Sequence, residues 1–272
     1  SKLMMPTLFI FFILLFIRSI TLDGAMEGVK FMFVPDWSYL TFDTLLMALG
    51  QAFFSLSVGI TAMVTYASYL SRKENIVSSA FNVAWMNITI SLLAGLVIFP
   101  AVFALGYSPE QGPGLVFIMI PAVFEQLPLG GLLLIIFFIL LLFATITSSI
   151  SMLEVVVSIG IGKKTERRKK ATIWFALIIF ILGIPSALSF GILSDVMLFD
   201  RSIFDFVDFL TNSIMMPIGA LLIALFAGYH YSKKISKAEL QASSWFFNIW
   251  YAIVRFIAPL AIIIILIRGI IG

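Results

Sequence analysis

Seven apolar stretches, at 3–20, 41–70, 76–104, 129–161, 171–190, 204–229 and 243–271, account for most of this chain. Each is close to or beyond the about 20 residues that a helix needs to cross a bilayer, and the longer ones leave room for tilt or kinks. Apolar residues make up 61% of the chain and charged residues 11%, too little polar surface for a soluble domain of this size. The fold class predicted is an all-α polytopic membrane protein, with residues 1–272 forming a single transmembrane domain and no low-complexity linker to divide it.

The same inventory excludes several kinds of chemistry. With no Cys there is no disulfide, thiol nucleophile or thiolate metal site. The single His230, between Tyr229 and Tyr231 at a span end, reads as an interfacial residue, so a transition-metal site is not expected. No nucleophile and base pair is evident, which argues against an enzyme. The net charge of +3 is distributed between spans and is not a nucleic-acid signature. Ser1 is not an initiator Met, and Lys2 leads into a span with no processing site behind it. The chain is therefore expected to be the later part of a longer protein, or one lacking its start.

Loop charge sets the expected orientation. Arg72 and Lys73, then Lys163, Lys164, Arg167, Arg168, Lys169 and Lys170, then Lys233, Lys234 and Lys237 follow alternate spans, whereas the other loops are acidic. The positive-inside rule places the basic loops in the cytoplasm and the C-terminus outside, across a plasma membrane of bacterial inner-membrane type. Between the third and fourth spans, Pro113, Gly114 and Pro121 interrupt an apolar run. It is predicted as an outer re-entrant hairpin over 109–128.

The second span is not built only to satisfy lipid. At its centre Ser55, Ser57 and Gly59 follow Gly50 and Gln51, with Thr61 just beyond, and this composition predicts a discontinuous helix. Freed carbonyls, hydroxyls and two opposed half-helix ends suit an ion or a zwitterion. Close helix packing explains small residues equally well at this point. The fourth span tips the balance: Thr145, Thr147, Ser148, Ser149 and Ser151 crowd into seven residues ahead of Glu154. Neutral hydroxyl and carbonyl oxygens are the ligands an alkali cation accepts when it sheds water. Glu154, inside an apolar span, demands a partner or a function. Asn87 in the third span offers a carbonyl oxygen, and Asp205 and Asp208 share one face at the outer mouth of the sixth.

These residues also carry a resemblance. GQAFFSLSVG followed by VTYASYL is similar to the sixth helix of the neurotransmitter:sodium symporters, which have the LeuT inverted-repeat fold. PDW, NITISLLAG, GLVFIMIPAVFEQ, ATITSSISMLE and DFVDF resemble family segments in the same order, covering essentially the whole chain. The resemblance implies that the seven spans are helices five to eleven, with helices one to four absent from these residues. It implies a transporter that couples sodium to uptake of a neutral, apolar amino acid. Phe54, Ser57, Ile60, Ser149 and Met152 would line the substrate site. Ser55 and Asn87 would serve a first sodium, and Ala144 (through its carbonyl), Thr147 and Ser148 a second. Asp208 matches the outer-gate acid.

Two departures stand out. Chloride-independent bacterial members carry an acid one turn after the asparagine of NITIS, but this chain has Ser91, as chloride-dependent animal members do. Gln51, Ser55 and Ser91 are then expected to hold chloride. At the inner end of the fourth span the family acid falls near Gly162, leaving either Glu154 or Glu166 as a substitute or a looser closure. A sodium-coupled transporter of an amine or other small zwitterion, and an ion channel, stay open as alternatives. The expected partners are the amino acid, the lipid bilayer and the helices missing from these residues. Oligomeric state is left open.

Overall fold

The computed structural model describes residues 4–71, 73–106, 116–117, 120–125, 129–162, 165–241 and 243–271. Among them, five helical stretches are long and apolar enough to cross a membrane: Ile76–Ala104, Gly130–Ile161, Arg168–Leu188, Ile203–His230 and Ser244–Ile270. The protein is a multi-pass membrane protein. The chain divides into two compact units, Ser1–Tyr39 with Trp85–Ile150, and Leu40–Ala84 with Ser151–Gly272.

In the first unit, α1 (Met4–Ile20) is followed by α2 (Ala25–Phe33) at a bend of 114°. Residues 25–33 fall between the first two expected spans, where Glu27 and Lys30 interrupt the apolar character. Gly24 turns the chain with φ +87°, and Gly28 then lets α2 lie directly on α5 (Ile76–Ala104). A Cβ at position 28 would sit 2.6 Å from the Pro100 Cα, a separation real Cβ atoms do not adopt. Phe31 packs its ring on Phe99 and Phe103 at 5.2 and 5.1 Å. Short α6 (Ile120–Glu125) buries Ile120 and Phe124 against Leu15, Val97, Val102, Phe137 and Leu140, the last two from the first half of α7 (Gly130–Ile161). Most of the hairpin expected over 109–128 lies outside the described residues.

The second unit holds α3 (Phe42–Ser55), α4 (Ala62–Tyr69), the start of α5, the end of α7, and everything after it. Here α8 (Arg168–Leu188) buries no residue, as a helix facing lipid on most sides requires. A two-residue hairpin, Met197–Leu198 with Arg201–Ser202, interrupts the otherwise helical architecture. Phe199 and Asp200 at its tip both take positive φ, the backbone twist that tight hairpins favour. After α9 (Ile203–Phe209) the chain widens into a π segment, Leu210–Met215, before α10 (Met216–Leu225). A second π segment, Phe226–His230, closes that span. The last span begins, after the short helix α11 (Lys233–Leu240), as α12 (Ser244–Ala252), passes a third π segment, Ile253–Ile257, and ends as α13 (Ala258–Ile271). At that third segment Arg255 lies over the Tyr229 ring at 4.6 Å instead of extending away from the helices.

Candidate functional site

The expected break in the second span is present. Thr41 starts α3 by accepting the Thr44 N–H at 3.2 Å, and the helix runs only to Ser55. Beyond it the N–H groups of Leu56, Ser57 and Val58 fold back to the carbonyls of Ala52, Phe54 and Phe53 at 3.0, 3.0 and 2.9 Å. Ser57, Gly59 and Thr61 then take positive φ of 53°, 97° and 58°, and α4 begins where Thr65 N–H donates to the Thr61 carbonyl at 2.9 Å. Two non-glycine residues in this region cost about 1–3 kcal/mol each, so surrounding structure must hold them. That structure is α10. The backbones of Gly59 and Gly219 meet so closely that a Cβ on either would collide with the other segment's main chain.

Above the break, α3, the π segment with α10, and α13 enclose a cavity of about 680 Å³. It brings together Gln51, Phe54 and Asp208, three residues singled out from sequence. Asp208 accepts a hydrogen bond from Asn212 Nδ2 at 2.6 Å, while the buried Asn212 Oδ1 has no hydrogen-bond partner among the described residues. Asp43, at the start of α3, forms an ion pair with Arg268 of α13, and both line the cavity. Sequence reasoning missed this pair, because 225 positions separate its members.

The remaining candidates form ordered strips on long helices. On α7, Thr147 Oγ1 donates to the carbonyls of Phe143 and Ala144 at 3.0 and 2.9 Å, so its hydroxyl oxygen is held beside the Ala144 carbonyl. A hydroxyl that donates to its own helix is held in a fixed position on it. Ser148 and Ser149 follow and are exposed, with Met152 one turn on. On α5, Asn87 and Ser91 are one turn apart, Asn87 half-buried and Ser91 exposed. Ser55, Ser57 and Ile60 are half-buried in and beside the break.

Glu154 has the partner its position demands. Its carboxylate accepts the Tyr69 hydroxyl at 2.6 Å, and Arg168 Nη2 reaches both of its oxygens at 2.6 Å. The end of α4, the end of α7 and the start of α8 therefore converge on one acid.

The family model described as "Sodium:neurotransmitter symporter family" matches residues 1–272. The chain belongs to this symporter family. It is 52% identical over 270 residues to the uncharacterized sodium-dependent transporter YhdH of Bacillus subtilis, covering 97% of this chain and 60% of that protein. An uncharacterized sodium-dependent transporter of Haemophilus influenzae is 41% identical over 271 residues, covering 98% of this chain and 59% of its own. A crystal structure of MhsT in complex with L-phenylalanine superposes with a TM-score of 0.88 at 44% identity, over 99% of this chain and 62% of that one. The fold is thus the LeuT-like fold, and the chain spans about three-fifths of the length of these relatives.

Within the symporter family, the departure near Gly162 now has a local cause. Gly162 ends α7 in a left-handed conformation, φ 52°, with nothing among the described residues within 4 Å of where its side chain would be. A glycine closing a helix in this way replaces an acid with a chain-reversing residue. Of the two substitutes considered, Glu154 is the acid that α8 engages through Arg168.

Proposed function

We propose that this chain supplies helices five to eleven of a sodium-coupled symporter that carries a neutral, apolar amino acid into the cell. The observation that carries this reading is the break at Leu56–Thr61. A backbone held off the helical ladder in mid-span presents carbonyls and hydroxyls that lipid cannot satisfy, so it serves a bound species. Family membership and the likeness to MhsT bound to L-phenylalanine support an amino acid as that species.

In this reading Phe54, Ser57, Ile60, Ser149 and Met152 surround the substrate, with no counter-charge for an acidic or basic side chain. Ser55 and Asn87 take one sodium; the Ala144 carbonyl, Thr147 and Ser148 take the other. The opposite wall of both sites comes from helices one to four, which are not among these residues. Gln51, Ser55 and Ser91 take chloride, supplying neutral donors where an acidic residue would otherwise balance the sodium charge. Asp208 gates the outer cavity and Glu154 the inner side. Residues 1–272 act as one transmembrane domain in a bacterial inner membrane, basic loops inside and C-terminus outside, with the 109–128 hairpin over the outer face. Coupling is energetic linkage: sodium orders the break and raises affinity for the zwitterion.

The test is uptake of radiolabelled phenylalanine by the full-length protein in liposomes. Saturable uptake that needs an inward sodium gradient is expected. Equal uptake with potassium in place of sodium would overturn the proposal, and currents far above turnover-limited flux would favour a channel.

A further inference from the structure

We infer that Gly219 is a positioning residue for the ion and substrate site, acting through the backbone of the break and touching neither ligand. This inference rests on the proposed function, since it concerns how that site is held.

The geometry is reciprocal. A Cβ on Gly219 would fall inside the Gly59 carbonyl oxygen, 3.0 Å from the Gly59 carbonyl carbon and 3.4 Å from its Cα. A Cβ on Gly59 would fall inside the Met216 carbonyl oxygen and 3.0 Å from the Ala220 nitrogen. Main chain therefore lies on main chain, with no flexible side chain between to absorb a change. The α10 surface at this contact is well packed, Met216 and Ala220 being only 5% and 3% exposed. Gly59 needs its missing side chain twice over, for its φ of 97° and for the contact. Gly219 lies within an ordinary helix, where conformation makes no such demand. The contact alone requires glycine there.

Ser55, Ser57 and Ile60 lie within four residues of Gly59, so the α10 surface sets where their oxygens and side chains stand. A methyl group at 219 displaces the break on the order of an ångström, the sum of the overlaps it must relieve. Ligand sites lose function at displacements of about half that. The inner and outer half-helices, α4 and α3, hinge on this stretch, so its seat on α10 is also where their relative movement would be registered.

The experiment compares full-length wild type with Gly219→Ala and with Gly183→Ala, whose added methyl in α8 meets nothing within 4 Å among the described residues. In liposomes, Gly219→Ala should raise the half-saturating sodium concentration about five-fold or more, with Gly183→Ala at the wild-type value. A generally destabilised protein would lose maximal rate at unchanged sodium dependence, and that result, like no change at all, overturns the inference. Wild type without sodium-driven uptake would instead overturn the proposed function. The packing is then read separately from Val58→Cys, the one thiol among residues 1–272, introduced into a full-length protein with any other cysteine replaced by serine. Gly219→Ala should change its labelling rate several-fold, and an unchanged rate overturns the inference. Should Gly219→Ala fail to fold, hydrogen exchange in the wild type decides. Slow exchange of the amides from 58 to 61 supports the seat on α10, and exchange as fast as in an open loop overturns it.

Discussion

Arg168 closes on Glu154 from fourteen positions away, its Nη2 lying 2.6 Å from both carboxylate oxygens. The two side chains differ in setting, Arg168 being 49% exposed and Glu154 22%. The Tyr69 hydroxyl donates to the same acid, so one carboxylate joins the broken span to the two helices beyond it.

Neutralising this acid should loosen that junction. Glu154→Gln and Arg168→Gln are each expected to lower sodium-driven uptake several-fold, and the double variant should be no worse than the poorer single one. Additive losses in this double-mutant cycle would show that the two residues act independently.

Packing at two close glycine contacts predicts stability effects. Gly28→Ala places a methyl group into the α5 backbone at Phe99 and Pro100, and Gly59→Ala adds positive φ to a comparable clash. Each should cost about 1–3 kcal/mol. Unfolding midpoints in detergent would measure this, with Gly131→Ala, whose methyl group meets nothing within 4 Å among the described residues, as the neutral reference.

Thr147→Val keeps shape and removes the oxygen held beside the Ala144 carbonyl. Half-saturating sodium should rise about ten-fold, which is about 1.4 kcal/mol of lost ion binding. Because a Thr donating to its own helix adds little stability, the unfolding midpoint should barely move.

Chloride is tested at Ser91. Replacing external chloride with gluconate should depress wild-type uptake, and Ser91→Glu should relieve the dependence by supplying a fixed negative charge on the turn after Asn87. Uptake indifferent to chloride in both proteins would remove the anion from the proposed cycle.

Much of the site was legible along the chain. Ser57, Gly59 and Thr61 marked the break because small and polar residues at mid-span have a local meaning, and the positive φ values fall on those same three positions. The hydroxyls of Thr145 and Thr147 were legible as a cluster, and each binds a carbonyl of its own helix. Helix α2 was hidden, since Glu27 and Lys30 interrupt its apolar pattern while glycine contacts secure it on α5. The hairpin at Met197–Ser202 was hidden as well, its strands being too short to show alternation.

What the sequence by itself determined is local: spans, loop charge, the interrupted helix and the oxygen-rich face, all set by residues within a turn or two of one another. Tertiary structure alone decided which distant groups meet. Tyr69 finds Glu154 across 85 positions, Arg268 finds Asp43 across 225, and Gly219 seats Gly59. The physical reason is that hydropathy and backbone preference act over single helical turns, whereas ion pairing and main-chain contact depend on how separate helices pack, information no short stretch of chain contains.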